Sequence, residues 1–168
     1  AIINAINFID GIDGLASSVV GIFIILYEYF SANTTDFRIL SIVILASLVS
    51  FLYFNIKKEK KIFLGDSGSL FLGGLVSVYV LNILSSNYLI KTDYDINKVL
   101  FVFSILSYPI FDIIRIFFLR LLNGRSPFIA DKQHIHHLVY TKFKSHIKTT
   151  LFIASLSVLF MILIQIVF

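Results

Sequence analysis

The 168-residue chain is 58% hydrophobic and 14% charged, with a formal net charge of +4 and a mean hydropathy of +0.92. Soluble domains carry about a quarter charged residues, so this composition argues against a water-soluble globule. Cysteine is absent, which excludes a disulfide framework, a thiolate metal site and a cysteine nucleophile.

In chain order, the opening residues, about 1–6, read as the end of an earlier span, and apolar runs place five further spans at roughly 15–32, 38–56, 69–84, 99–122 and 149–168. The expected architecture is therefore all-α: a polytopic transmembrane helical bundle forming one integral-membrane domain over residues 1–168. Ala1 stands inside an apolar run and Met161 is the sole methionine. The chain thus reads as the C-terminal part of a longer protein whose N-terminal spans are missing.

Four connections join the spans. Asn33 to Phe37 is short. Lys57 to Gly68 carries Lys57, Lys58, Lys60 and Lys61, and Ser85 to Lys98 balances two lysines against Asp93 and Asp95. The last, Asn123 to Lys148, holds Arg125, Lys132, Lys142, Lys144 and Lys148 and reads as a loop. Basic residues favour the cytoplasmic side, which puts the second and fourth connections there. Counting back across the spans puts Asn4–Gly14 on the same face. The lysines suit a surface against anionic lipid better than a nucleic-acid patch, so membrane lipid is an expected partner and nucleic acid is not.

Three polar segments on that face carry chemistry. The first contains Asn4, Asn7, Asp10, Gly11, Asp13 and Gly14. An Asp-Gly pair is often only a turn, but ionisable groups beside spans are costly and tend to be functional. At a three-residue helical spacing they would share one face. The second is Gly65-Asp66-Ser67-Gly68-Ser69. Glycines at a helix start let backbone N–H groups approach a phosphate, and Asp66 can hold Mg²⁺ together with phosphate oxygens. The plain alternative is a helix cap by Asp66 or Ser67. The third runs from Ser126 through Asp131 to His134, His136 and His137. A zinc site lacks its usual partner ligands here, a phosphate-binding or proton-handling cluster is at least as good a reading, and a solvated loop is the plain one. In the fourth span, Asp112 and Arg115 are three apart and read as an internal ion pair that fixes packing. Pro109 reads as a kink.

Together, NAINFIDGIDGLA, FLGDSGSLFLG and HIHH, in this order, resemble the polyprenyl-phosphate N-acetylhexosamine-1-phosphate transferases of glycosyltransferase family 4. The stretch YPIFDIIRIFFLRLLNGRSPFIADKQHIHH is similar to the family's run from a Pro-x-x-Asp helix into a cytoplasmic loop. The His-x-His-His form resembles the branch using UDP-N-acetylglucosamine or a related UDP-N-acetylhexosamine. The family's Asp-Asp-x-x-Asp motif has no counterpart here, so the segment alone is expected to be inactive.

The resemblance implies a bacterial inner-membrane, multi-pass enzyme with its site on the cytoplasmic face. It would move a sugar 1-phosphate from a UDP-sugar to undecaprenyl phosphate and release UMP, as the first membrane step of cell-envelope polysaccharide synthesis, O-antigen included. Asp66 and Asp10 are the expected ligands for Mg²⁺, with Mn²⁺ as a substitute. Asp10 and Asp13 would orient the nucleotide or take a proton. His134, His136 and His137 would bind phosphate or stabilise departing UMP, and Arg125 fits phosphate oxygens. Asn4, Asn7, Gly65, Ser67 and Gly68 complete the substrate-binding set. A homodimer is compatible with the sequence. Direct displacement is preferred over a covalent carboxylate intermediate. The rival from another class is a secondary transporter of an anionic substrate, favoured by Asp112 alone; a structural subunit without chemistry fits poorly with three polar clusters on one face.

Overall fold

A computed structural model of the chain describes residues 1–32, 37–57, 59–85, 88–91, 97–124, 126 and 133–167. Helices form wherever the sequence is a long apolar run, because backbone polar groups in an apolar medium must be satisfied within the segment. In order they are α1 (Ile2–Phe8), α2 (Leu15–Phe30), α3 (Arg38–Ile56), α4 (Gly65–Leu84), α5 (Lys98–Ile105), α6 (Ser107–Leu122), α7 (Ile135–Phe143) and α8 (His146–Val167). Among the described residues the only extended pairing is a single antiparallel bridge, Ser31 to Ile90.

Three helices, α3, α4 and α8, are long and apolar enough to cross a membrane. The expected fourth span is broken: α5 and α6 pass the same test together but meet at 72°. Pro109 lies in the first turn of α6. Its ring opposes the carbonyl four residues back, on Ile105, where α5 ends. Helix α2 has 16 residues, or about 24 Å, against an apolar bilayer core of roughly 30 Å. The connection read as a loop between α6 and α8 contains a helix, α7, whose apolar residues Ile135 and Val139 pack against the core.

Helix α1 lies directly on α4. Gly73 allows this approach, since a methyl group on its α-carbon would stand 2.7 Å from the Ile3 α-carbon and 2.8 Å from its carbonyl oxygen. Helix α2 packs between α3, α4 and α8 and supplies the most buried stripe: Leu15, Ala16, Val20, Phe23, Ile24 and Tyr27 are wholly enclosed. Large apolar side chains point outward elsewhere, with Ile39 79% and Leu81 69% exposed. Such faces are tolerated where the surroundings are lipid. At the C-terminal ends of α2 and α4, Tyr27, Tyr79 and Tyr88 form an aromatic cluster, with the Tyr27 ring centre 4.7 Å from Tyr79 and 4.9 Å from Tyr88.

Candidate active site

At the opposite ends of α2 and α4, the three polar segments meet. The contact of α1 with α4 brings Asn7 to the start of α4. Its amide Nδ2 donates to Asp66 Oδ1 (3.2 Å) and to Ser69 Oγ (2.8 Å). Ser69 is fully buried, and its hydroxyl also donates back to the Gly65 carbonyl at 3.0 Å. Helix α4 begins at Gly65, in the left-handed region at φ 65°, which an L side chain would resist. Leu64 occupies the cap position and no side chain caps the helix, so the capping role considered for Asp66 and Ser67 is not realised. Both lie exposed in the first turn, with Gly68 beside them.

The double Asp-Gly segment is not helical throughout. Helix α1 ends at Phe8, and residues 9–14 turn before α2 starts behind Gly14, at φ 73°. The shared helical face therefore extends only to Asn4 and Asn7, and Asn4 is exposed. The turn gathers carboxylates in another way. Asp10 is half-buried, and burial, followed by the charges of Asp66 and Asp13, pushes its carboxyl up to about 6. Asp13 is compensated: Lys61 Nζ stands 2.5 Å from Oδ2. His146 Nδ1 lies 3.2 Å from both the Asp13 carboxylate and its backbone nitrogen. Thr150 Oγ1 donates to the Asp13 carbonyl at 2.8 Å. The N-terminal turns of α8 are thereby fastened to the Asp-Gly turn.

The histidines close the third side. Gly11 is where the Asp-Gly turn touches them, since a methyl group there would come within 2.7 Å of His136 Nε2 and 3.4 Å of His137 Cε1. The His136 ring is stacked on that of His134 at 5.5 Å and lies 4.3 Å from that of His137. His136 is fully enclosed. Burial, followed by the neighbouring His137, pulls its imidazole down to about 4, so it is neutral near pH 7. Phe8, next to Asn7, brings its ring to 5.7 Å from that of His134.

Asp112 departs from its expected role. In place of an ion pair with Arg115, Oδ2 lies 2.7 Å from His134 Nδ1 and Oδ1 accepts the Ile135 N–H at 2.8 Å. Arg115 donates to the Gln133 carbonyl at 2.8 Å. The residue that favoured a transporter thus belongs to the histidine segment. Hydrogen bonding to a histidine and a helix N-terminus outweighs a surface-type i,i+3 pair, because a buried carboxylate needs several donors.

Of the residues that the motifs mark, Asn7, Asp10, Asp13, Asp66, His134, His136 and His137 are gathered around one end of the bundle, with Gly65, Ser67 and Gly68 on its α4 side. Arg125 and Asp131 lie outside the described residues. His146, Thr150 and Tyr108 carry no role in the sequence reading, and Lys61 enters it only as part of a basic loop. Lys61 was hidden in a lysine run and His146 stood apart from the other histidines, so no local pattern marked either. Among the described residues no set of three His, Asp or Glu side chains converges as a ready-made metal cage.

The family model for glycosyl transferase family 4 matches residues 1–84. A probable undecaprenyl-phosphate N-acetylglucosaminyl 1-phosphate transferase of Bacillus subtilis is 39% identical over 96% of this chain and 44% of its own length. The undecaprenyl-phosphate alpha-N-acetylglucosaminyl 1-phosphate transferase of Escherichia coli is 33% identical over 83% of this chain and 38% of its own length. A decaprenyl-phosphate N-acetylglucosaminephosphotransferase of Mycobacterium leprae is 31% identical over 91% and 42%. The chain thus spans less than half the length of these relatives. No solved structure matches it.

Proposed function

The chain belongs to glycosyl transferase family 4, and from that premise we propose that the full-length protein transfers N-acetylglucosamine 1-phosphate from its UDP derivative to undecaprenyl phosphate. The observation that carries this reading is the convergence of three motifs far apart in sequence: Asn7 bonds Asp66, Asp10 feels the charges of Asp66 and Asp13, and Gly11 abuts His136. In the reaction, an oxygen of the lipid phosphate bonds to the sugar-bearing phosphorus, the bond from that phosphorus to the UMP oxygen breaks, and UMP leaves with the electron pair. The site would face the cytoplasm of a bacterial inner membrane, where the UDP-sugar arrives from water and the polyprenyl tail stays in lipid. Its product would open a cell-envelope polysaccharide.

The residues fit a divalent cation. Burial and, after it, the charges of Asp66 and Asp13 raise Asp10; a cation would offset both, and one or two carboxylates with substrate phosphate oxygens form the donor set that Mg²⁺ prefers. Asp66 and Asp10 would hold it, and when bound it would supply charge neutralisation at the pyrophosphate. The rest falls to the chain itself. Asn7 holds Asp66 in orientation from α1. Lys61 and His146 fix Asp13, leaving the half-buried Asp10 as the carboxylate that a cation would compensate. The histidines present imidazole to the departing phosphate. Gly65 keeps the start of α4 clear of side chain, where N–H groups favour anions.

The test supplies full-length protein in membranes with labelled UDP-N-acetylglucosamine, polyprenyl phosphate and Mg²⁺. Lipid-extractable label with stoichiometric UMP, abolished by Asp66→Ala, is expected. Release of UDP would mean sugar transfer without phosphate and would overturn the mechanism. No lipid product with any UDP-N-acetylhexosamine would overturn the assignment.

A further inference from the structure

One face of α6 is devoted to the histidine segment. Tyr108, Asp112 and Arg115 follow the i, i+4, i+7 spacing that lines up on one side of a helix. Each grips a different atom of the segment entering α7. The Tyr108 hydroxyl lies 3.1 Å from His136 Nδ1, Asp112 takes His134 Nδ1 and the Ile135 N–H, and Arg115 takes the Gln133 carbonyl. Asp112 has no exposed surface at all, and His134 is 8% exposed.

If capping α7 were the whole purpose of Asp112, one oxygen would suffice. Oδ1 already performs it, while Oδ2 sits at 2.7 Å from a ring nitrogen. A carboxylate only accepts, so His134 Nδ1 must donate, and the ring proton is fixed there. The lone pair of the neutral ring, or the second proton of the charged one, is then confined to Nε2. A partner on one ring nitrogen sets the identity of the other in this way in metal and catalytic histidines generally.

We propose that Asp112 is a positioning residue for phosphate transfer, holding His134 in the Nδ1–H form so that Nε2 addresses a substrate phosphate. The proposal rests on the sugar-phosphate transfer reading. Tyr108 holds the His136 ring at Nδ1 from the same face of α6, although its hydroxyl, able to donate or accept, does not fix that ring's proton.

Asp112→Asn separates positioning from capping. The amide oxygen still accepts from Ile135 N–H, but the amide nitrogen donates, which forces His134 Nδ1 to accept and moves the ring proton to Nε2. In full-length protein with ¹⁵N-histidine, the His134 ring resonances, assigned by difference with His134→Gln, should switch from the Nδ1–H to the Nε2–H pattern. The turnover number for lipid-linked product should fall by about 10²–10⁴-fold with little change in KM for the UDP-sugar. Adding Asp112→Asn to His134→Gln should cost nothing further, because both act through one ring. The thermal midpoint of the Asn variant reports whether it still folds. An unchanged tautomer, or near-normal turnover in a folded Asp112→Asn protein, overturns the proposal alone. Absence of lipid product from the unaltered protein overturns the transfer reading, and the proposal with it.

Discussion

The two ends of the α2–α4 pair carry similar amounts of polarity and use it in opposite ways. At the far end every polar group named here has a neutral partner or a single charge to satisfy. Tyr27 donates to Asn82 Oδ1 at 2.7 Å, Tyr88 to the Tyr27 carbonyl at 2.7 Å, and Ser41 shares its hydroxyl between Glu28 (2.6 Å) and Tyr79 (2.8 Å). Burial pushes the Tyr88 phenol upward, which keeps it a neutral donor. At the near end three carboxylates are gathered, Asp66 is exposed, and the Asp10 carboxylate has no hydrogen bond or ion pair among the described residues. A network that only holds helices together closes on itself. The near end instead leaves like charges facing one another, at a cost in stability.

That contrast breaks most visibly through Asp66. If Asp66 holds a cation as proposed, Asp66→Asn should lower lipid-product formation by at least ~100-fold while barely moving the thermal midpoint, since the side chain is exposed and only its charge is lost. Product assays and thermal unfolding on one preparation check both halves. A large loss of stability would assign Asp66 to the structural class.

Gly73→Ala attacks the joint between α1 and α4. Its methyl group meets the Ile3 backbone, which cannot swing aside as a side chain would. The expected cost is about 1–3 kcal/mol, with activity falling too because Asn7 is carried away from Asp66. Restored activity on Ile3→Gly would disprove the backbone clash, since that change leaves the Ile3 main chain in place.

His136 gives the near end a pH signature. Its folded value, about 4, lies below the ordinary 6.5. The folded state therefore binds fewer protons than the unfolded one between these values. The stability it contributes is complete above pH 6.5 and is lost as pH falls toward 4. Asp10, raised from 3.8 to about 6, has the opposite slope over much of that range. In an Asp10→Asn background with chelator present, the acid loss should be steeper than in the unaltered protein, and His136→Gln should flatten it. Thermal midpoints from pH 4 to 7.5 decide this. The smallest effect belongs to the far end: Tyr79→Phe should cost about 1 kcal/mol and leave the turnover number unchanged.

Periodicity and composition alone determined that the chain is a helical membrane protein, because unbroken apolar runs admit no other way to satisfy the backbone. Motif order alone marked Asn7, Asp10, Asp66 and the histidines, since costly polar groups beside spans stand out against apolar neighbours. Tertiary structure decided the rest. Pro109 gave a break at Leu106 because its ring acts one turn upstream. Helix α7 was masked by a polar, basic segment whose apolar face becomes apparent only against the core. Asp112 left Arg115 for His134, and Asp13 took partners 48 and 133 positions away in Lys61 and His146. Such pairings depend on which helix faces meet. Local sequence states what a side chain is able to donate or accept, while the packing of distant helices chooses the partner that burial then makes obligatory.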